Sequence, residues 1–144
     1  MNSTPDHLVS LACSLATQQA LAPELVCSVV EQESAWNCFA IRYEPAFRAR
    51  YVAPLGLPPT EEIARSISWG LMQVMGQVAR EHGFTDKFLA ALCDPATGLE
   101  FGCKVLASKI SAAAGDIELA LERWNGGADP TYAAEVLARA DRYR

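Results

Sequence analysis

A chain of 144 residues that is 51% hydrophobic and 20% charged is long enough to bury a core and too apolar to remain disordered. Its net charge of −5 lacks the basic footprint of a nucleic-acid binder, and no apolar run is long enough to span a bilayer. Alanine and leucine recur while β-branched alternation is nearly absent, so the expectation is an all-α, mainly helical single domain over residues 1–144.

Thr4-Pro5-Asp6 reads as an N-cap, a first-turn proline and a first-turn acid. The helix it opens carries Leu8, Leu11, Ala12 and Leu15 at helical spacing, with His7 solvated in the first turn. A second helix runs from Pro23 to Ser34, proline suiting a first turn where no N–H is required. At 100° per residue, Val26, Val29, Val30 and Glu33 share one face, with Glu24, Ser28, Glu31 and Gln32 opposite. Glu33 alone among the three glutamates falls in the apolar stripe, where lost hydration favours the neutral carboxyl and suits it to act as a general acid. The same position also suits a helix-end glutamate that bonds a backbone N–H or an arginine.

From Phe39 to Thr60 the periodicity fails at Pro45, Pro54, Gly56, Pro58 and Pro59, leaving a long loop with at most a short helix near Ala46–Tyr51. Its aromatics and arginines, Arg42, Tyr43, Phe47, Arg48, Arg50 and Tyr51, suit either a binding element or a packed connector. Thr60 is placed to cap a short helix through Ser66. Gly70 then opens the helix read as most regular, with Leu71, Val74, Met75, Val78 and Ala79 as its core stripe and Gly83 as its C-cap. Asp86–Leu92 forms a short helical segment, and Asp94-Pro95 starts a long helix carrying Leu99, Cys103, Leu106 and Ile110. Gly115-Asp116 separates it from a helix with Ile117, Leu121 and Trp124, which Gly126-Gly127 stops. Asp129-Pro130 opens the last helix, lined by Tyr132, Val136, Arg139, Ala140 and Tyr143. Five cysteines without a C-x-x-C spacing, and only His7 and His82, argue against zinc, while one disulfide stays open.

Four stretches in order carry a family resemblance. They are Glu33-Ser34 at a helix end followed by an aromatic and Asn37; Gly70-Leu71-Met72-Gln73-Val74-Met75; Asp94-Pro95 with Leu99, Gly102 and Leu106; and Ala120-Leu121-x-x-Trp124-Asn125-Gly126-Gly127, with Tyr132 and Val136-Leu137 beyond. Together they resemble the lytic transglycosylase domain of the soluble-transglycosylase type, a relative of goose-type lysozyme. The resemblance implies a lysozyme-like fold with a groove for the glycan strand of peptidoglycan, no cofactor and no metal. It implies Glu33 as the catalytic acid and Ser34, Ser68, Met72, Gln73, Asn125 and Tyr132 as substrate-binding residues. The family usually has tyrosine where Trp124 stands, asparagine where Gly98 stands and an aromatic where Val105 stands. Ser66-Ile67-Ser68-Trp69 departs from its common glycine–alanine pattern, and the 39–60 loop resembles that of phage-type lysis enzymes.

Glycosidases commonly use two carboxyl groups, whereas this family works with one. The resemblance therefore implies that Glu33 protonates the bond between N-acetylmuramic acid and N-acetylglucosamine, then takes a proton from the 6-hydroxyl to leave a 1,6-anhydro end. Hydrolysis by water, as in a lysozyme-like muramidase, would need a base, with Glu44, Asp94, Glu100 and Asp129 as candidates. A catalytically inactive wall-binding or assembly domain is the alternative from outside enzymology. The expected partner is the peptidoglycan strand, met by a monomer that does not insert in a membrane. No secretory signal opens the chain, so synthesis in the cytoplasm and action at the cell wall are expected, as for an endolysin or a component of a phage particle.

Overall fold

Every later feature is arranged around α2 (Pro23–Ser34), whose residues Leu25 through Val30 are all buried. The computed structural model describes residues 5–144, so the cap expected at Thr4 lies outside the described residues. The two-faced reading of α2 is corrected. Ser28 is fully buried and its hydroxyl donates back to the Glu24 carbonyl at 2.5 Å, while Glu31 is covered by Arg139, Arg142 and Tyr143. A helix surrounded on all sides by other elements needs no polar face.

The first helix, α1 (Asp6–Gln18), buries Leu8, Ala12 and Ala16 against α2. After α2 comes a short strand, β1 (Ile41–Tyr43), then α3 (Pro45–Phe47), which continues as a π turn at Arg48–Val52 and a 3-10 turn at Ala53–Leu55. The expected loop thus holds more helix than its prolines suggest. Both Pro45 and Pro54 fall in first turns, where no N–H is required. Helix α4 (Pro59–Arg65) begins one residue before Thr60, which does not cap it.

The helix expected from Gly70 is also corrected. Strand β2 (Ile67–Trp69) turns through 70–73 into β3 (Val74–Met75), and only Gly76–Glu81 is helical (α5). Gly70 (φ +74°) and Gln73 (φ +53°) are both left-handed, which no α-helix allows. A side chain at Gly70 would also meet the Leu92 carbonyl at 2.5 Å. The three strands form an antiparallel sheet ordered β1-β2-β3, with Arg42 opposite Ser68 and Ser68 opposite Met75. The molecule is mainly α, with this small sheet as its one departure among the described residues.

A 3-10 turn, Leu89–Cys93, leads into α6 (Pro95–Ala112). Asp94 caps it as expected, accepting from the Thr97 N–H at 3.0 Å and the Thr97 hydroxyl at 2.9 Å. Helix α7 (Ile117–Trp124) packs on α6, and α8 (Tyr132–Arg139) with a final 3-10 turn at Ala140–Tyr143 closes over α2. Asp129 does not cap α8; it accepts from the Thr131 N–H at 2.9 Å and Thr131 hydroxyl at 2.7 Å in the preceding loop. All five cysteines are free, with the Cys13 and Cys27 sulfurs 3.9 Å apart.

Candidate active site

Glu33 stands in the last turn of α2, and the chain reverses just beyond it. Ala35 (φ +49°) and Trp36 (φ +66°) are both left-handed, a conformation that costs a non-glycine residue on the order of 1 kcal/mol or more. What holds this turn is partly Ser34, whose hydroxyl donates to the Leu71 carbonyl at 2.8 Å and lies 3.1 Å from the Val30 carbonyl. The Trp36 ring is buried, and its N–H donates to the Tyr143 hydroxyl at 3.1 Å.

Two donors from the far end of the sequence converge on one oxygen of Glu33. The Tyr132 hydroxyl donates to Oε1 at 2.5 Å and the Trp124 indole N–H donates to the same atom at 3.2 Å. Tyr132 opens α8 and Trp124 ends α7, so the 125–131 loop sets their spacing. Gly126 and Gly127 both take φ +75°, making the reversal that Asn125 begins; the Asn125 amide reaches the Asp129 carbonyl at 3.5 Å. Burial raises the Glu33 pKa above the ordinary carboxylate value, outweighing Tyr132, Trp124 and the positive charge of Arg42, which pull it down. Burial, the Glu33 charge and the Glu33 hydrogen bond push the Tyr132 hydroxyl far up, so it stays a donor.

A half-buried carboxyl with a raised pKa, held by two hydrogen-bond donors, can give up a proton and take one back. A family model described as the transglycosylase SLT domain matches residues 10–141.

The chain belongs to the transglycosylase SLT family.

No curated protein and no solved structure matched the chain. Membership brings a lytic-transglycosylase-type, glycan-cleaving function directed at peptidoglycan, on a mainly-α lysozyme-like fold. Among the described residues no helix is long and apolar enough to cross a membrane. Nor does any group of three or more His, Cys, Asp or Glu side chains gather as a metal site there.

The remaining residues that the SLT resemblance suggested fall into two groups. Asn125 and Tyr132 adjoin Glu33, Asn125 through the chain next to Trp124 and Tyr132 by direct contact. Ser34, Ser68, Met72 and Gln73 engage partners elsewhere within the protein. Met72 is fully buried with its thioether against Gly102, so its side chain offers no surface to a sugar. Ser68 is 6% exposed, with its hydroxyl 3.0 Å from Gln73 Oε1 and 3.3 Å from the Arg42 carbonyl. Gln73 uses both amide hydrogens on the Ala40 and Gly70 carbonyls, at 2.8 and 2.9 Å. It thereby offsets its own left-handed backbone, keeping only acceptor capacity for a ligand.

Among the other carboxylates, Glu44 pairs with Arg42 at 3.0 Å and Glu100 with Lys104 at 3.2 Å; Asp94 and Asp129 serve the backbone as described. Trp124 is the residue that sequence reasoning missed. It packs against the core, and its departure from the family's tyrosine marks the position. An apolar hollow of about 230 Å³ between Leu21, Leu25, Ile110 and Leu137 shares no residue with this site.

Proposed function

We propose that this domain is a peptidoglycan lytic transglycosylase in which Glu33 is the single catalytic acid and base. It cleaves the β-1,4 bond between N-acetylmuramic acid and N-acetylglucosamine. Neutral Glu33 protonates the bridging oxygen as the bond to the anomeric carbon breaks, and the substrate's acetamido group shares the positive charge that develops there. The resulting carboxylate then removes the proton from the 6-hydroxyl, whose oxygen closes on the anomeric carbon. The product ends in a 1,6-anhydro sugar, and Glu33 is neutral again. Internal attack needs no captured water and gains from proximity, for which effective molarities reach ~10⁵ M or more.

The observation carrying this reading is the environment of Glu33: partial burial raises its pKa while Tyr132 and Trp124 hold Oε1. The engagement of Glu44, Asp94, Glu100 and Asp129 with partners of their own favours one carboxyl over two. The test is digestion of purified peptidoglycan followed by mass spectrometry of the released muropeptides. Anhydro ends are expected. Reducing ends would make the enzyme a lysozyme-like hydrolase, and no release would leave a wall-binding module. Glu33→Gln should abolish release with an unchanged circular-dichroism spectrum; retained activity in that variant would remove Glu33 from the chemistry.

A further inference from the structure

The two oxygens of Glu33 are not equivalent. Oε1 receives both donors, at 2.5 Å from Tyr132 and 3.2 Å from Trp124. Oε2 has no partner among the described residues. Among the described residues no fully buried side-chain oxygen or nitrogen lacks a hydrogen bond, so Oε2 is not sealed from solvent. A neutral carboxyl carries its hydrogen on one oxygen or the other, and its neighbours decide which.

Tyrosine alone would not decide it. A phenolic hydroxyl can donate or accept, so it could rotate to receive a proton carried on Oε1. An indole N–H can only donate. The Trp124 N–H donates to Oε1 at 3.2 Å, so that oxygen always faces a donor that cannot turn to accept.

We propose that Trp124 is a positioning residue that fixes the polarity of this triad, so that Oε1 is always an acceptor and Oε2 is the oxygen that delivers and recovers the proton. This rests on the reading of Glu33 as the acid. The tyrosine usual in the family at this position would supply a donor too, but one free to turn round. Here the direction is set by the chemistry of the side chain. The oxygen free of protein partners serves both halves of the reaction, and the carboxyl need not rotate between giving up its proton and taking one back.

The test compares wild type, Trp124→Phe and Trp124→Tyr by two readouts. One is the Glu33 carboxyl ¹³C resonance titrated in the free protein, assigned by its absence from Glu33→Gln. The other is the pH profile of kcat and kcat/KM on a defined glycan oligomer. Removing a donor from the carboxylate should raise the titration midpoint in Trp124→Phe and carry the alkaline limb upward with it. kcat should fall about tenfold, the loss expected for one hydrogen bond to a charged group, with KM little changed. Trp124→Tyr should restore most of kcat.

An unchanged midpoint together with unchanged kcat in Trp124→Phe would overturn the proposal. If that variant fails to fold, the wild-type Trp124 indole N–H resonance still decides, because it must shift as Glu33 ionises. An indole signal blind to that titration overturns the proposal as well. The carboxyl and indole titrations need no activity. Retained activity in Glu33→Gln would therefore refute the acid role separately from the hydrogen-bond assignment.

Discussion

Glu31 and Glu33 stand two residues apart on α2, and their surroundings drive them in opposite directions. Burial pushes Glu31 up. The hydrogen bonds from Arg139 and Tyr143 and the charges of Arg139 and Arg142 outweigh it, leaving its pKa below the ordinary value. Burial pushes Glu33 up as well, and its hydrogen bonds and Arg42 do not overcome it. One glutamate is therefore an anion at neutral pH that ties α2 to the C-terminal segment. The other is a carboxyl poised to be neutral.

The two positions should respond to glutamine oppositely. A lowered folded pKa stabilises the protein above the unfolded value, and that stability is lost as pH falls through the folded one. Glu31→Gln should lose about 1–3 kcal/mol at neutral pH and show a flatter decline into acid. A raised folded pKa does the reverse: stability falls as pH rises from the ordinary carboxylate value through the raised one. Glu33→Gln should therefore melt about 2–5 °C higher than wild type at neutral pH while being inactive. Thermal melts of both variants across the acid-to-neutral range check the signs.

Gly98 reverses an ordinary rule. Glycine to alanine inside a helix usually gains about 1 kcal/mol. Here the added Cβ would lie 2.4 Å from the Leu92 carbonyl, a backbone atom that cannot swing aside. Overpacking of that kind costs about 1–3 kcal/mol, which outweighs the propensity gain. Gly98→Ala should unfold at lower urea concentration than wild type, and Gly98→Asn lower still. The close approach of Leu92 leaves no room here for the asparagine common in the family.

Arg42 lies opposite Ser68 on β1, its side chain 76% exposed and paired with Glu44. Its charge is among the influences that pull the Glu33 pKa down. Arg42→Gln should move the alkaline limb of the activity profile to higher pH, by less than Trp124→Phe does. Salt should move the wild-type limb the same way, since an exposed charge is screened over about 10 Å at 0.1 M ionic strength, and should do little to the variant. Profiles at low and high salt test both statements.

Legibility in the sequence followed the range of the interactions. Glu33 stands out in the sequence because a local cue, its place among Val26, Val29 and Val30, agrees with a motif. The α6 cap could be found because Asp94 and Thr97 are three residues apart. The 70–75 segment was misread because Leu71, Val74 and Met75 fit a helical period, and a left-handed glutamine held by Ala40, far away in sequence, leaves no trace in periodicity. Trp124 meets Glu33 across 91 positions, so only its departure from a family pattern marks this contact in the sequence. The resemblance gives Gln73 and Met72 to the ligand, whereas their side chains engage the Ala40 and Gly70 carbonyls and Gly102.

The cysteines extend the same contrast between burial and reactivity. Cys27 and Cys103 are fully buried, and burial pushes both thiols up to about 12, with Cys13 adding to the effect on Cys27. At neutral pH about one part in 10⁵ of each is thiolate, the form that reacts. Cys13, Cys38 and Cys93 are only half-buried. Alkylation of the native protein should label these three first and leave Cys27 and Cys103 unmodified, while unfolding in denaturant should expose all five. Peptide mass mapping after timed alkylation reads this directly. Early labelling of Cys27 would mean that an element packed on α2 separates from it in the native state, since Cys27 is fully buried with its sulfur 3.9 Å from that of Cys13.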